Sequence, residues 1–291
     1  MRLILAIATT GRAPILAQTL PHLLTQTTWP DLLVLSVAGP DDLDPEVLEG
    51  LDFPRLVLSG PRGLCAQRNR VLDLLRADDI VLMLDDDFVM APDYVAQVLT
   101  LFRDTPDVVM VTGTVLADGI GGAGYDFAEG LVRLRAVPPP APQPLRPVYN
   151  GYGCNMAFRA RPVVEQGLRF DQRLPLYGWL EDVDFSRQMA AAGRIVQSTA
   201  LTGVHLGTKT GRTPGVKLGY SQIANPLYLI GKRTMSRRRA LRMLAQNVVG
   251  NLIRLPRPEP WIDRRGRLRG HLLALRDLLR GRLRPERVLE L

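Results

Sequence analysis

Short apolar runs alternate with stretches of helical spacing through the first two thirds of the chain. That alternation constrains the fold more than any other feature. Residues 3–9, 32–38, 55–58, 80–84 and 108–114 read as strands, each apolar along most of its length and flanked by Gly, Pro or Asp. Between them, residues 14–26, 64–76 and 92–103 carry helical spacing, and Pro92 stands near a start, where helices accept proline. Strands apolar on both faces, interleaved with helices, predict an α/β protein with a mostly parallel sheet covered on both sides. Ligands of such sheets bind beyond the carboxyl ends of the strands, so a polar constellation just after a strand is a candidate site.

Two interruptions follow. Residues 118–124 (DGIGGAG) read as a flexible glycine-rich loop, and residues 138–147 (PPPAPQPLRP) as stiff and extended. A long excursion of this kind predicts a lid or binding loop. After it come a strand over 154–159, a helix opening at Glu181-Asp182, and short strand-like runs at 194–197 and 201–205. From there the pattern is helical and basic, which predicts a body over 1–206 and an extension over 207–291.

Charge divides the chain in the same place. Residues 1–204 hold 17 Arg/Lys against 24 Asp/Glu, whereas residues 205–291 hold 20 against 5. An acidic front and a basic end suggest chemistry in one and attachment to something anionic in the other. Leu268, Leu272, Leu275 and Leu279 form one helical stripe, with Arg269, Arg276 and Arg280 on an adjacent one. Lys232-Arg233 and Arg237-Arg238-Arg239 precede a second apolar pattern, Leu241, Leu244, Ala245 and Val248. Basic amphipathic helices favour anionic membrane surfaces; the competing expectation is that the leucines pack on the body.

With 46% hydrophobic residues the chain is not disordered, and two cysteines exclude a disulfide scaffold or a cysteine-rich zinc site. No apolar run approaches the roughly 18 residues of a spanning helix, and Thr9, Thr10, Gly11 and Arg12 interrupt the first run too early for a signal peptide. The expected location is cytoplasmic, resting on the inner face of the plasma membrane. Tyr220, Tyr228 and Trp261 give the basic end few rings for base stacking, so nucleic acid is not an expected partner.

The strongest local feature is Asp85-Asp86-Asp87, directly after an apolar strand. Adjacent carboxylates repel unless a cation relieves them. In extended chain Asp85 and Asp87 share a face while Asp86 points away, a pair suited to Mg2+ or Mn2+ with open positions for phosphate oxygens. A solvated turn or a helix cap is the alternative. The second feature is Gly178-Trp179-Leu180-Glu181-Asp182-Val183-Asp184-Phe185. Acids in a first helical turn are ordinary, but an exposed indole beside them looks like a platform for a sugar, and a carboxylate there could act as general base toward a hydroxyl.

Taken in order, these motifs resemble family 2 glycosyltransferases, with the GT-A fold. The resemblance runs over residues 3–206. It includes Ala8-Thr9-Thr10-Gly11-Arg12, a second strand ending near Ser36, and Gly63-Leu64-Cys65-Ala66-Gln67-Arg68-Asn69-Arg70. The D-x-D motif Asp85-Asp86-Asp87, the strand Gly153-Cys154-Asn155-Met156-Ala157-Phe158-Arg159, the Glu181-Asp182 motif with Asp184, and His205 follow. It implies a Rossmann-like mixed sheet, here with a basic helical extension. It also implies a nucleotide-diphosphate sugar donor, a saccharide or lipid-linked acceptor, and Mn2+ or Mg2+.

The resemblance further implies roles. Thr9, Gly11, Arg12 and Ser36 would surround base and ribose, and Arg12, Arg62 and Arg68 would offset diphosphate charge. Asp85 and Asp86 would belong to the donor side, with Asp85, Asp87 and His205 at the metal. Asp182 would be the base of an inverting transfer, and Tyr152, Gly153, Trp179 and Glu181 would line the acceptor. His205 as a hydrogen-bonded core histidine is the alternative. The chain departs from many members at Ser36-Val37-Ala38-Gly39, which lacks an acid to read the base, so nucleotide and sugar stay open. A nucleotidyltransferase would show a richer phosphate loop than Ala8-Thr9-Thr10-Gly11-Arg12, and a nucleic-acid binder more aromatics.

Overall fold

The computed structural model describes residues 1–138, 143–211 and 213–291. In chain order the elements are β1 (Arg2–Thr9), α1 (Ala13–His22), β2 (Leu32–Val37), α2 (Glu46–Glu49), β3 (Arg55–Ser59), α3 (Leu64–Leu72) and β4 (Asp79–Asp85). Then come β5 (Phe88–Met90), α4 (Tyr94–Asp104), β6 (Val108–Asp118), α5 (Phe127–Ala136), β7 (Arg146–Pro147), β8 (Asn155–Arg159) and α6 (Arg161–Gln166). The chain closes with α7 (Glu181–Met189), β9 (Arg194–His205), α8 (Gly215–Lys232), α9 (Arg237–Ile253) and α10 (Arg264–Leu279).

One sheet runs β3-β2-β1-β4-β8-β6-β9-β5, with β7 paired to β9. Its first four strands are parallel, β8 is antiparallel to β4 and β6, β9 is parallel to β6, and β5 is antiparallel to β9. The sheet is therefore mixed, as the resemblance implied. Alternation along each strand explains why both faces are covered. Leu3, Leu5 and Ile7 pack with Leu16, Leu20, Val98 and Phe102 of α1 and α4. Ile4 and Ala6 pack on the other side with Val71, Val163, Phe185 and Leu229 of α3, α6, α7 and α8.

Several elements depart from expectation. The runs at 194–197 and 201–205 are one continuous β9, because the polar Ser198 and Thr199 between them are spanned where its pairing with β6 shifts register. Gly119 and Gly124 of the 118–124 run serve close backbone contact, whereas Gly121 and Gly122 have open space around them. A β-carbon on Gly119 would meet Leu206 O at 2.0 Å, and one on Gly207 would meet Gly119 C at 2.3 Å. Of the proline-rich stretch, residues 139–142 lie outside the described residues; its end, β7, pairs with β9.

The basic helices pack together closely. A β-carbon on Gly219 of α8 would meet Arg267 O at 2.1 Å, and one on Gly270 of α10 would meet Val216 O at 2.2 Å. Between the helices lies a buried polar cluster in which Arg264 bonds Asn251 at 2.8 Å and His271 meets Gln222 at 3.0 Å. The leucine stripe of α10 faces outward: Leu272 is 68% and Leu279 89% exposed, and Leu275 is exposed as well. Leu244 and Val248 of α9 pack inward, while Leu241, Val249, Leu252 and Ile253 remain exposed. Among the described residues no helix is long and apolar enough to cross a membrane.

Candidate active site

The carboxyl ends of β1 and β4 lie side by side, with Ala8 opposite Asp85, and the chain turns there through Asp85-Asp86-Asp87 into β5. Phe88 of β5 pairs with His205, and His205 pairs on its other side with Asp118 at the end of β6. Strand register thus delivers Asp87, His205 and Asp118 to one point.

Ligand atoms of Asp85, Asp87 and His205 all lie within 4.8 Å of one another. His205 Nε2 stands 3.4 Å from Asp87 Oδ1 and 3.9 Å from Asp85 Oδ2. Asp87 Oδ1 is buried without a hydrogen-bond partner, whereas Oδ2 accepts the Thr208 amide at 2.7 Å. A buried carboxylate oxygen with no donor is costly, and a cation would relieve it. His205 Nδ1 meets Asp118 Oδ1 at 2.9 Å, a second contact that orients the ring and leaves Nε2 toward the two aspartates. Two carboxylates and an imidazole fit a divalent ion such as Mn2+. Burial disfavours charge on His205, but Asp118, Asp87 and Asp85 outweigh it and push the ring up to about 10. Burial also acts against the Asp87 charge, yet His205 and Arg12 hold its carboxyl below the ordinary range.

Asp86 points the other way. It is buried, accepts Thr9 Oγ1 at 2.7 Å and pairs with Arg12 at 2.9 Å. Burial, reinforced by Asp87, raises its carboxyl to about 6 against the pull of Arg12. Arg12 also donates to Thr208 O at 3.3 Å and Thr210 O at 3.1 Å, so it fastens the segment after β9 over the aspartates.

Arg68 joins the two acidic motifs. From α3 it reaches Glu181 Oε1 at 2.6 Å, Asp85 Oδ1 at 3.2 Å and Gly153 O at 2.8 Å. Glu181 at the start of α7 is buried, and burial raises its carboxyl to about 8 even though Arg68 opposes it. Asp182 is half-buried and accepts the amides of Gly153 at 3.2 Å and Val183 at 2.7 Å. Burial raises its carboxyl too, against those two amides. Tyr152 donates to Asp118 Oδ2 at 3.0 Å and sets its ring edge-on to His205.

A cleft of about 870 Å³ opens over this floor. Thr9, Arg12, Arg62, Asp85, Asp86, Asp87, Trp179 and His205 line it, and Lys217, Arg254, Trp261 and Arg267 of the basic helical end form the facing wall. Gly11, at φ +66°, lies outside the lining and gives its amide to Asp42 at 2.6 Å. Tyr152, Gly153, Glu181 and Asp182 stand beside the cleft, tied to it through Arg68 and Asp118.

Three expected placements need correction. Ser36 is fully buried beneath Arg70 and Gln67, because it sits inside β2 rather than past its end, so it cannot touch a base. Arg68 is buried below the cleft, where it bonds Glu181, Asp85 and the Gly153 carbonyl, and it is not among the residues that line the cleft. Trp179 is half-buried against the core; the exposed ring beside it is Tyr177. Sequence reasoning also missed Asp118, Asp42 and Gln67, which ties Thr9 O to Ser36 O with two 2.7 Å bonds. Asp118 opens the DGIGGAG run, which was its only signal.

The sheet, with its carboxylates at the β4 end, is that of the GT-A glycosyltransferases. It resembles the mannosyltransferase PcManGT from Pyrobaculum calidifontis, solved with GDP-Man and Mn2+. That likeness has a TM-score of 0.57 at 14% identity, over 99% of this chain and 85% of that one. It also resembles S. aureus TarS residues 1–349 in complex with UDP, at TM-score 0.55 and 13% identity, over 84% of this chain and 70% of that one. The family description "Glycosyl transferase family 2" matches residues 5–160, and the chain belongs to that family. A glucosyl-dolichyl phosphate glucuronosyltransferase of Haloferax volcanii is 28% identical over 156 residues, 52% of this chain and 50% of the relative. The chain thus spans about half the length of that curated relative.

Proposed function

We propose that this glycosyltransferase works by inversion, with a nucleotide-diphosphate sugar as donor and a divalent ion held by Asp85, Asp87 and His205. The observation that carries this is the unpartnered Asp87 Oδ1 facing His205, with Asp118 behind the ring. Mn2+ or Mg2+ bound there would act as a Lewis acid on the leaving diphosphate. Asp182, half-buried and at the N-terminus of α7, takes the proton from the acceptor hydroxyl. The hydroxyl oxygen forms its bond to the anomeric carbon as the bond to the diphosphate oxygen breaks, and the diphosphate leaves from the opposite face. Thr9, Arg12, Arg62 and Asp86 shape the donor side of the cleft; Tyr152, Gly153, Trp179 and Glu181 support the acceptor side.

The acceptor in this reading is lipid-linked and anionic, in envelope or exopolysaccharide synthesis. Lys217, Arg254 and Arg267 wall the cleft; exposed Leu252 and Ile253 end α9 just before Arg254, and exposed Leu272 shares α10 with Arg267. The body over 1–206 supplies the chemistry and 207–291 rests on the inner face of the plasma membrane. A panel of UDP- and GDP-sugars, read by nucleoside diphosphate release with Mn2+, tests the core of this. Turnover should vanish in EDTA and in Asp87→Ala while the fold, read by circular dichroism, is kept. Full turnover in EDTA would remove the metal from the reading.

A further inference from the structure

The segment leading into the Glu181-Asp182 motif is bent against its own preferences. Leu176 and Leu180 have φ of +58° and +75°, two of the three non-glycine residues at positive φ among the described residues. The leucine β-carbon crowds the carbonyl oxygen in that conformation, so it persists only where the surroundings over-determine it. Leu180 directly precedes α7, and its bend sets the direction in which Asp182 leaves the loop.

Part of what holds the bend is local to the body: Leu176 O accepts the Leu64 amide at 2.9 Å, and Arg68 pairs with Glu181. The rest comes from α8, some forty residues further along. Asn225, 2% exposed, donates through Nδ2 to Trp179 O at 2.7 Å. Two turns on, Lys232 bridges Asp184 Oδ2 at 2.7 Å and Asp171 Oδ2 at 2.8 Å. Asn225 therefore grips the peptide between Trp179 and Leu180, while Lys232 grips α7 itself and the start of the loop.

We propose that Asn225 is a positioning residue for sugar transfer, holding the Trp179–Leu180 peptide through its carbonyl and so aiming Asp182 at the acceptor hydroxyl. The inference rests on reading Asp182 as the base. It makes α8 part of the catalytic apparatus rather than a spacer before a membrane anchor.

The test uses the full chain. Asn225→Leu is close in volume and lacks the donor. Hydrogen exchange of amides 176–184 should accelerate roughly tenfold, the scale of one lost buried hydrogen bond, while β1 and β4 stay unchanged. On whichever UDP- or GDP-sugar the wild type turns over, kcat should fall roughly tenfold, with Mn2+ and UDP or GDP affinity held. Asn225→Gln, which keeps an amide donor, should fall between. In an Asp182→Asn background, Asn225→Leu should lower kcat no further, because its effect runs through that carboxylate. Unchanged exchange at 176–184, or a fully additive loss in the double variant, overturns the proposal. If Asn225→Leu does not fold, wild-type exchange decides: amides 180–184 should open together with α8, and much faster opening than α8 sinks the idea. Wild-type turnover in Asp182→Asn would instead reject the base, leaving the exchange result to speak for the bend.

Discussion

Each carboxylate of the Asp85-Asp86-Asp87 run has a different neighbour, and the neighbour decides what it can do. Asp86 is neutralised by Arg12, Asp85 shares Arg68 with Glu181, and Asp87 keeps one oxygen without a donor. Asp118 touches none of them and acts through His205. Asp118→Asn should weaken Mn2+ binding about 10- to 100-fold, the usual cost of losing such an outer contact, with secondary structure intact. Calorimetric titration checks this, and equal affinity would make Asp118 a bystander. Between the two acids of the second motif, Asp182→Asn should cost about two to four orders of magnitude in turnover. Glu181→Gln should cost little turnover or stability at pH 7, because burial already favours the neutral carboxyl and the Gln carbonyl still accepts from Arg68; a dead but stable Glu181→Gln would move the base by one residue. At this scale the clustered acids were legible, since like charges placed together after a strand need a reason. Asp118, Gln67 and Asn225 were not, because each acquires its partner only through pairing across distant segments.

Elements show the same division between local and distant causes. The parallel strands β1, β2 and β4 were readable because burial on both faces makes them apolar almost throughout, whereas the edge strand β3 is largely exposed and was marked by its short apolar run alone. Three-residue β5 was hidden behind the aspartates, and β9 was split by its own polar middle. The contact between α7 and α8 rests on Lys232, Asp171 and Asp184, and it has a pH signature. Burial would raise the Asp171 carboxyl, but Lys232 and the Tyr228 hydroxyl bring it below its ordinary range. As pH falls the unfolded chain takes up that proton first, so this stabilisation is complete above about pH 4 and disappears as pH drops through the folded value. Lys232→Met leaves the buried Asp184 without its cation, with only Gln188 still donating to it, and should destabilise by about 3 kcal/mol at pH 7. Its melting temperature should also depend less on pH between 5 and 3 than that of the wild type. Parallel pH curves for the two would exclude the clamp.

At the scale of the whole molecule, the charge asymmetry was plain in the sequence, whereas its placement was not. Nothing in the spacing of residues 207–291 says that Lys217, Arg254 and Arg267 face the aspartates across a cleft, because Gly219 and Gly270 set that wall by bringing two backbones together. The outward turn of the α10 leucines bears on attachment. Leu272, Leu275 and Leu279 are exposed beside Arg269, Arg276 and Arg280, so one surface presents apolar and basic side chains together, as the proposed attachment requires. Attraction is worth roughly 1 kcal/mol per basic residue near an anionic surface and fades over a Debye length, whereas leucine insertion is insensitive to salt. Replacing Arg237, Arg238, Arg269, Arg276 and Arg280 with Gln, and sparing Arg239 because it stacks on Tyr149, should abolish binding to anionic vesicles at low salt. Turnover of a soluble acceptor analogue should survive, since none of the five lines the cleft. Replacing Leu272, Leu275 and Leu279 with Ser should keep binding at low salt but lower the salt concentration at which the protein is released, because the leucines add to the basic attraction without replacing it. If the Gln variant binds anionic vesicles as the wild type does, these arginines are a solvated face and the leucines must seek another partner.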